Sequence, residues 1–180
     1  MPSLGRIPFQ ATVAAIPYDA LQPLPVTVLL DNVRSMYNVG AFFRTADATS
    51  LAKLYLGGIT ATPPKKEITK TALGADETVP WEHWPDPVKG LNGLRGLGYE
   101  IAIIETSMHA VDLFDWKPQF PVCLVFGHEV EGVTETLTAL ADTHVRIPML
   151  GTKHSLNVAT AGGVVLYELL RKYRRLQEPG

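Results

Sequence analysis

A single cysteine, Cys123, stands in a chain of 180 residues. One thiol excludes an intrachain disulfide framework and a cysteine-rich zinc site. It sits inside the apolar run PVCLVF, which reads as a buried strand. No apolar stretch is long enough to cross a bilayer. A large excess of one charge is missing too, since 16 Lys and Arg face 18 Asp and Glu, for a net charge of −2. That excludes coating nucleic acid by bulk charge, though not a local basic patch. The first residues lack a basic segment followed by a long apolar one, so no signal peptide is expected and the expected compartment is the cytoplasm.

Several catalytic fingerprints are also absent. No G-x-G-x-x-G follows the first apolar run, and there is no P-loop, no G-x-S-x-G elbow and no H-E-x-x-H. The histidines (His83, His109, His128, His144 and His154) are scattered, and none pairs at helical spacing with another ligand. They read as surface or loop residues, and no metal is expected.

At 46% hydrophobic and 19% charged residues, the chain has the composition of an ordinary globular domain. Residues 1–25 carry five prolines and read as an irregular lead-in; 26–176 read as one domain. Apolar, β-branched runs predict strands at 26–31, 53–58, 100–105, 121–127 and 144–149. Helices are expected at 41–50, 67–73, 87–97, 134–142 and 155–176, and the segment from 60 to 81 is otherwise a polar connection. Strands alternating with helices, and apolar on both faces, imply an α/β fold with a mainly parallel sheet flanked by helices.

The last helix shows little polar face before Arg171. A helix apolar nearly all round needs cover on both sides. One cover is the sheet; the other is a second subunit, brought close at Gly162-Gly163, or else the core of a monomer.

Three polar islands follow predicted strands, and ligands in open α/β sheets bind at the carboxyl ends of strands. The first lies in LLDNVRSMYNVGAFFRTADA, with Asn38, Gly40 and Arg44; the second is FGHEVEGV, with Gly127, Glu129 and Gly132. The third, IPMLGTKHSLNVA, carries Ser155 and Asn157. Singly, Asn38 and Ser155 read equally as helix caps, Glu129 as a solvated carboxylate and the glycines as turn residues. Three islands in the same relation to the sheet make a shared site.

In order and spacing, NVGAFFRTADA, FGHEVEG and IPMLGTKHSLNVA resemble the three motifs of the SPOUT-class RNA methyltransferases, in the SpoU/TrmH branch that methylates ribose 2′-hydroxyls. The resemblance runs from about residue 26 to 170. It implies a deep C-terminal trefoil knot over roughly 121–166, a homodimer with the active site near its interface, and S-adenosylmethionine as cofactor. By motif, Thr106, Gly127, Ile147 and Leu156 would line the cofactor pocket. Arg44 would be the central catalytic residue, with Asn38, Glu129, Ser155 and Asn157 at matching polar positions. An arginine stays protonated at neutral pH, so Arg44 is expected to hold a phosphate or to stabilise charge developing on the 2′-oxygen, with the proton passed to a phosphate or to Ser155. The partner is RNA, with tRNA favoured over rRNA, in what reads as a minimal catalytic domain. Arg34 and Tyr37, Lys65, Lys66 and Lys70, and the tail Arg171, Lys172, Arg174 and Arg175 are candidate RNA contacts. Two other readings stay open on the sequence alone. One is a small-molecule α/β enzyme using the same loops; the other is a catalytically silent knotted RNA-binding or assembly factor.

Overall fold

A computed structural model describes residues 23–177. Most of the expected lead-in, 1–22, lies outside the described residues. The elements are β1 (Leu24–Asp31), α1 (Met36–Ala48), β2 (Leu51–Gly57), α2 (Lys66–Ala72), α3 (Ala75–Thr78), β3 (Trp81–Trp84) and α4 (Pro87–Gly96). They continue as β4 (Glu100–Ile104), β5 (Val111–Asp112), β6 (Val122–Phe126), α5 (Glu135–Thr138), β7 (Thr143–Arg146) and α6 (Val158–Gln177). The seven strands form one sheet in the order β3-β2-β1-β6-β4-β7-β5, and every pairing is parallel.

The expected α/β architecture holds, with seven strands in place of five. β1 and β6, the most continuously apolar runs, lie side by side inside the sheet. Val28, Leu30, Leu124 and Phe126 pack beneath α1 and α6; Leu29, Val125 and Cys123 pack on the other face with Leu91 and Leu94 of α4. Cys123 is fully buried, and that burial pushes its thiol up to about 12. The two unanticipated strands, β3 and β5, are the sheet's edges, and neither has a fully buried residue pattern. Edge strands need less apolar sequence and so leave a weaker signal.

Two helix starts also differ from expectation. Helix α1 begins at Met36 because Ser35 caps it, its side chain accepting from Asn38 N–H at 3.3 Å. Tyr37, Asn38 and Gly40 therefore ride on its first turns, and Asn38 is not the cap. Helix α6 begins at Val158, with Asn157 rather than Ser155 in the capping role: its Oδ1 accepts from the N–H groups of Ala159 (2.9 Å) and Thr160 (3.2 Å).

Within α6 the space left by Gly162 is filled by Phe42 of the same chain, whose ring a Cβ would meet at 2.3 Å. The expected approach of a second backbone at that glycine is thus corrected. The exposed large apolar residues of α6 are instead Val164, Tyr167 and, near its end, Leu176. Lys172 is mostly covered: its Nζ donates to the carbonyls of Leu113, Phe114 and Trp116, beside Glu168. It ties α6 to the segment after β5, while Arg171 pairs with Glu168, so this part of the tail serves the fold. Lys172→Met is expected to leave those carbonyls short of a donor and to cost about 1–2 kcal/mol. In thermal unfolding that is a drop of roughly 3–6 °C.

Candidate active site

The carboxyl ends of β4, β6 and β7 open into one cavity of about 370 Å³. The end of β4 and the two residues after it supply Ile104, Glu105 and Thr106. The segment after β6 supplies Gly127 to Val133, and the one after β7 supplies Ile147, Met149 and His154 to Val158. All four residues expected around a cofactor, Thr106, Gly127, Ile147 and Leu156, line this space.

The glycines of FGHEVEG shape a tight hairpin. His128 and Gly132 exchange backbone hydrogen bonds at 3.0 and 2.9 Å, and Gly132 takes a φ of 74°. A Cβ at Gly127 would stand 2.2 Å from the Gly132 carbonyl carbon. The His128 ring holds the turn from inside, its Nδ1 accepting from the N–H groups of Val130 and Glu131 at 3.1 Å each.

This hairpin aims Glu129 at the start of α1. Its carboxylate accepts from Arg34 N–H (3.2 Å), Ser35 N–H (3.1 Å) and the Asn38 side-chain amide (3.1 Å). Asn38 in turn accepts from Asn157 Nδ2 at 3.2 Å. The three islands are therefore joined side chain to side chain, across 91 residues from Asn38 to Glu129 and 119 from Asn38 to Asn157. Partial desolvation pushes the Glu129 carboxyl upward. The hydrogen bonds from its own backbone, Ser35, Asn38 and Arg34 outweigh that and hold it below the usual carboxylate range. Ser155 lines the cavity, exposed.

Arg44 is placed differently. It is exposed on α1 and does not line the cavity. Six residues beyond Asn38, it sits about 9 Å further along the axis and on another face of the helix. Arg34, Lys65, Lys66 and Lys70 are exposed as well, and the Lys70 ammonium lies 6.0 Å from the ring centre of Tyr37 on the first turn of α1.

Sequence reasoning passed over four residues that hold or line the site. Asp31, buried at the end of β1, accepts from Thr134 N–H at 2.8 Å and from Asn32 Nδ2 at 3.0 Å. Asn32, at a φ of 55°, accepts from Ile59 N–H at 3.0 Å. The Thr60 hydroxyl donates to Leu30 O (2.9 Å) and accepts from Val33 N–H (3.0 Å). Together they fix the turn between β1 and α1. The fourth, Glu105, enters the cavity from β4. The available signal was a polar pair closing an apolar strand, as in LLDN and IIET.

Among the described residues no Lys or Arg lines the cavity, whereas Glu105, Glu129 and Glu131 do. Among the described residues no group of His, Cys, Asp and Glu is placed to hold a metal ion, and no helix is long and apolar enough to cross a membrane.

Comparison with known proteins agrees with this geometry. The SpoU rRNA Methylase family matches residues 25–167. A 23S rRNA (guanosine-2′-O-)-methyltransferase RlmB of Ralstonia nicotianae is 34% identical over 155 residues, 86% of this chain and 61% of that protein. A TrmH/SpoU tRNA modifying enzyme of A. aeolicus superposes with a TM-score of 0.79 at 29% identity, covering 87% of this chain and 79% of that one. The SpoU methyltransferase AviRb of Streptomyces viridochromogenes, in complex with AdoMet, superposes at 0.74 and 29% identity, covering 88% of this chain and 63% of that one.

Proposed function

The chain belongs to the SpoU rRNA methylase family, and from that premise we propose that it is an S-adenosylmethionine-dependent RNA methyltransferase acting on a ribose 2′-hydroxyl. The observation that carries this reading is the Glu129–Asn38–Asn157 chain, which closes three motifs around one cavity.

The cavity fits the cofactor by its chemistry. Phe126, Ile147, Leu156 and Val158 offer apolar walls for an adenine. A lining with carboxylates and no Lys or Arg suits a sulfonium and opposes a phosphate-bearing dinucleotide. Bound there, S-adenosylmethionine would supply an electrophilic methyl group. Thr106, Gly127, Ile147 and Leu156 would hold it, and Ser155, at the cavity wall, would orient the ribose hydroxyl and relay its proton.

The trefoil knot and the homodimer belong to this proposal. The strand order supports the knot, since β6 inserts beside β1 and α6 returns to pack on α1. Val164 and Tyr167, exposed on α6, support a second copy on that face. Arg44, carried on the exposed face of α1, would meet the RNA from outside its own cavity, holding a phosphate or stabilising the developing oxyanion. The reading as a silent knotted RNA-binding factor finds no support: the relatives compared are named as methyltransferases or modifying enzymes, and Glu129, Ser155 and Asn157 line one cavity, with Asn38 bonded to the first and last of them. We favour tRNA over rRNA as substrate, and the cytoplasm as the compartment.

Incubation with methyl-labelled S-adenosylmethionine and unmodified tRNA and rRNA tests this. Label is expected in a 2′-O-methylated nucleoside, recognised by the alkali resistance of its phosphodiester. Absence of label from both RNA pools would overturn the proposal.

A further inference from the structure

Among the described residues Glu105 is the half-buried carboxylate in the cavity with nothing to accept. Glu129 already takes three donors, and Glu131 is exposed on the hairpin. Among the described residues, the Glu105 side chain makes no hydrogen bond and no ion pair. Its backbone is pinned at the strand end, the N–H donating to Val145 O at 3.0 Å. Its carboxylate lies against the hairpin, where a Cβ at Gly132 would stand 2.9 Å from Oε1. A carboxylate partly withdrawn from water and unpartnered is costly unless donors arrive. The described residues supply none, which leaves both oxygens free to accept from a ligand in the cavity.

Position identifies the donors. β4 lies between β6 and β7, the two strands whose following segments build the cavity walls. Glu105 therefore enters the cavity between its two walls, with Phe126 on the β6 side and Ile147 on the β7 side. The middle of an adenosyl group is its ribose. A vicinal diol brings two adjacent O–H donors without charge, and a carboxylate with both oxygens free can accept both. Acidic side chains serve a ribose hydroxyl in the same way in dinucleotide-binding sheets. Resting on the cofactor reading given above, we propose that Glu105 binds the ribose hydroxyls of the adenosyl group and so selects a ribonucleoside cofactor.

Calorimetry on the full chain tests this with S-adenosylmethionine, adenosine and 2′,3′-dideoxyadenosine. The wild type is expected to bind adenosine roughly tenfold or more tightly than the dideoxy analogue, as loss of hydrogen bonds to a charged group predicts. Glu105→Gln is expected to lose most of that preference, and Glu105→Asp, which retracts the carboxylate, to show an intermediate one. The preference is a ratio on one protein, so a general loss of folded material leaves it unchanged. Full discrimination in both variants would overturn the assignment. So would weakened S-adenosylmethionine binding with adenosine unaffected, since the carboxylate would then face the ammonium. A wild type that binds S-adenosylmethionine but does not discriminate would also overturn it. Failure of the wild type to bind S-adenosylmethionine at all would instead overturn the cofactor reading on which it rests.

Discussion

Glu129→Ala is expected to lower methyl transfer roughly a hundredfold or more, with a much smaller loss of folded stability. Among the described residues the carboxylate alone bonds the hairpin after β6 to the start of α1, through Arg34 N–H, Ser35 N–H and Asn38. Removing it frees Asn38, and with Asn38 the contact to Asn157 at the head of α6. Misplacing reacting groups by about 1 Å costs on the order of a hundredfold in rate. Stability changes less because Glu129 is exposed and the core beneath it is untouched. Asn38→Ala and Asn157→Ala cut the same chain, so either one combined with Glu129→Ala should add little further loss. Activity of Glu129→Ala within about threefold of wild type, in single-turnover assays at saturating cofactor, would sink this account.

The same carboxylate sets the site's response to acid. Its folded-state value lies below its unfolded one. Its contribution is therefore complete above the ordinary carboxylate range and is lost as pH falls through the lowered value. Glu129→Gln removes that titration. Its unfolding temperature should fall less steeply than the wild type's as the solution is taken from about pH 6 to about pH 3.

Burial explains which parts of this molecule could be read from the chain. β1 and β6 were legible because both faces are covered, and an unbroken apolar run means little else. β3 and β5 were not, because edge strands carry mixed sequence, and β5 has only two residues. The members of the site were legible as motifs, yet their roles were not. Asn38 was read as a loop residue or a cap, whereas Ser35 caps α1 and Asn38 bridges two other segments. Asp31 and Glu105 were given no role because a lone acid after an apolar run has many uses. Only the fold brings Thr134 to the first and leaves the second without a donor. Arg44 shows the opposite case: its motif is distinctive, and its place on an exposed helix face depends on where α1 begins, five residues earlier than expected.

Gly40→Ala is expected to destabilise the protein by about 2–4 kcal/mol, although alanine is the better helix former by about 1 kcal/mol. Gly40 is buried where α2 lies closest to α1. A Cβ there would meet Thr71 Oγ1 at 2.0 Å and the Ile68 carbonyl oxygen at 2.3 Å. The Thr71 hydroxyl could turn aside, giving up its 2.9 Å bond to Tyr37 O. The Ile68 carbonyl is backbone, so α2 itself must move. Lys66 and Lys70 ride on α2, and Lys70 stands over Tyr37, so the displacement should weaken RNA binding as well as stability. Gly93→Ala on α4 is the matched control. Nothing lies within 4 Å of its Cβ, and it should stabilise by about 0.5–1 kcal/mol. In denaturant unfolding the two substitutions should therefore move the midpoint in opposite directions. If Gly40→Ala instead matched the gain of Gly93→Ala, α2 would not be docked on α1 as described, and the basic surface it carries would lose its fixed place beside the site.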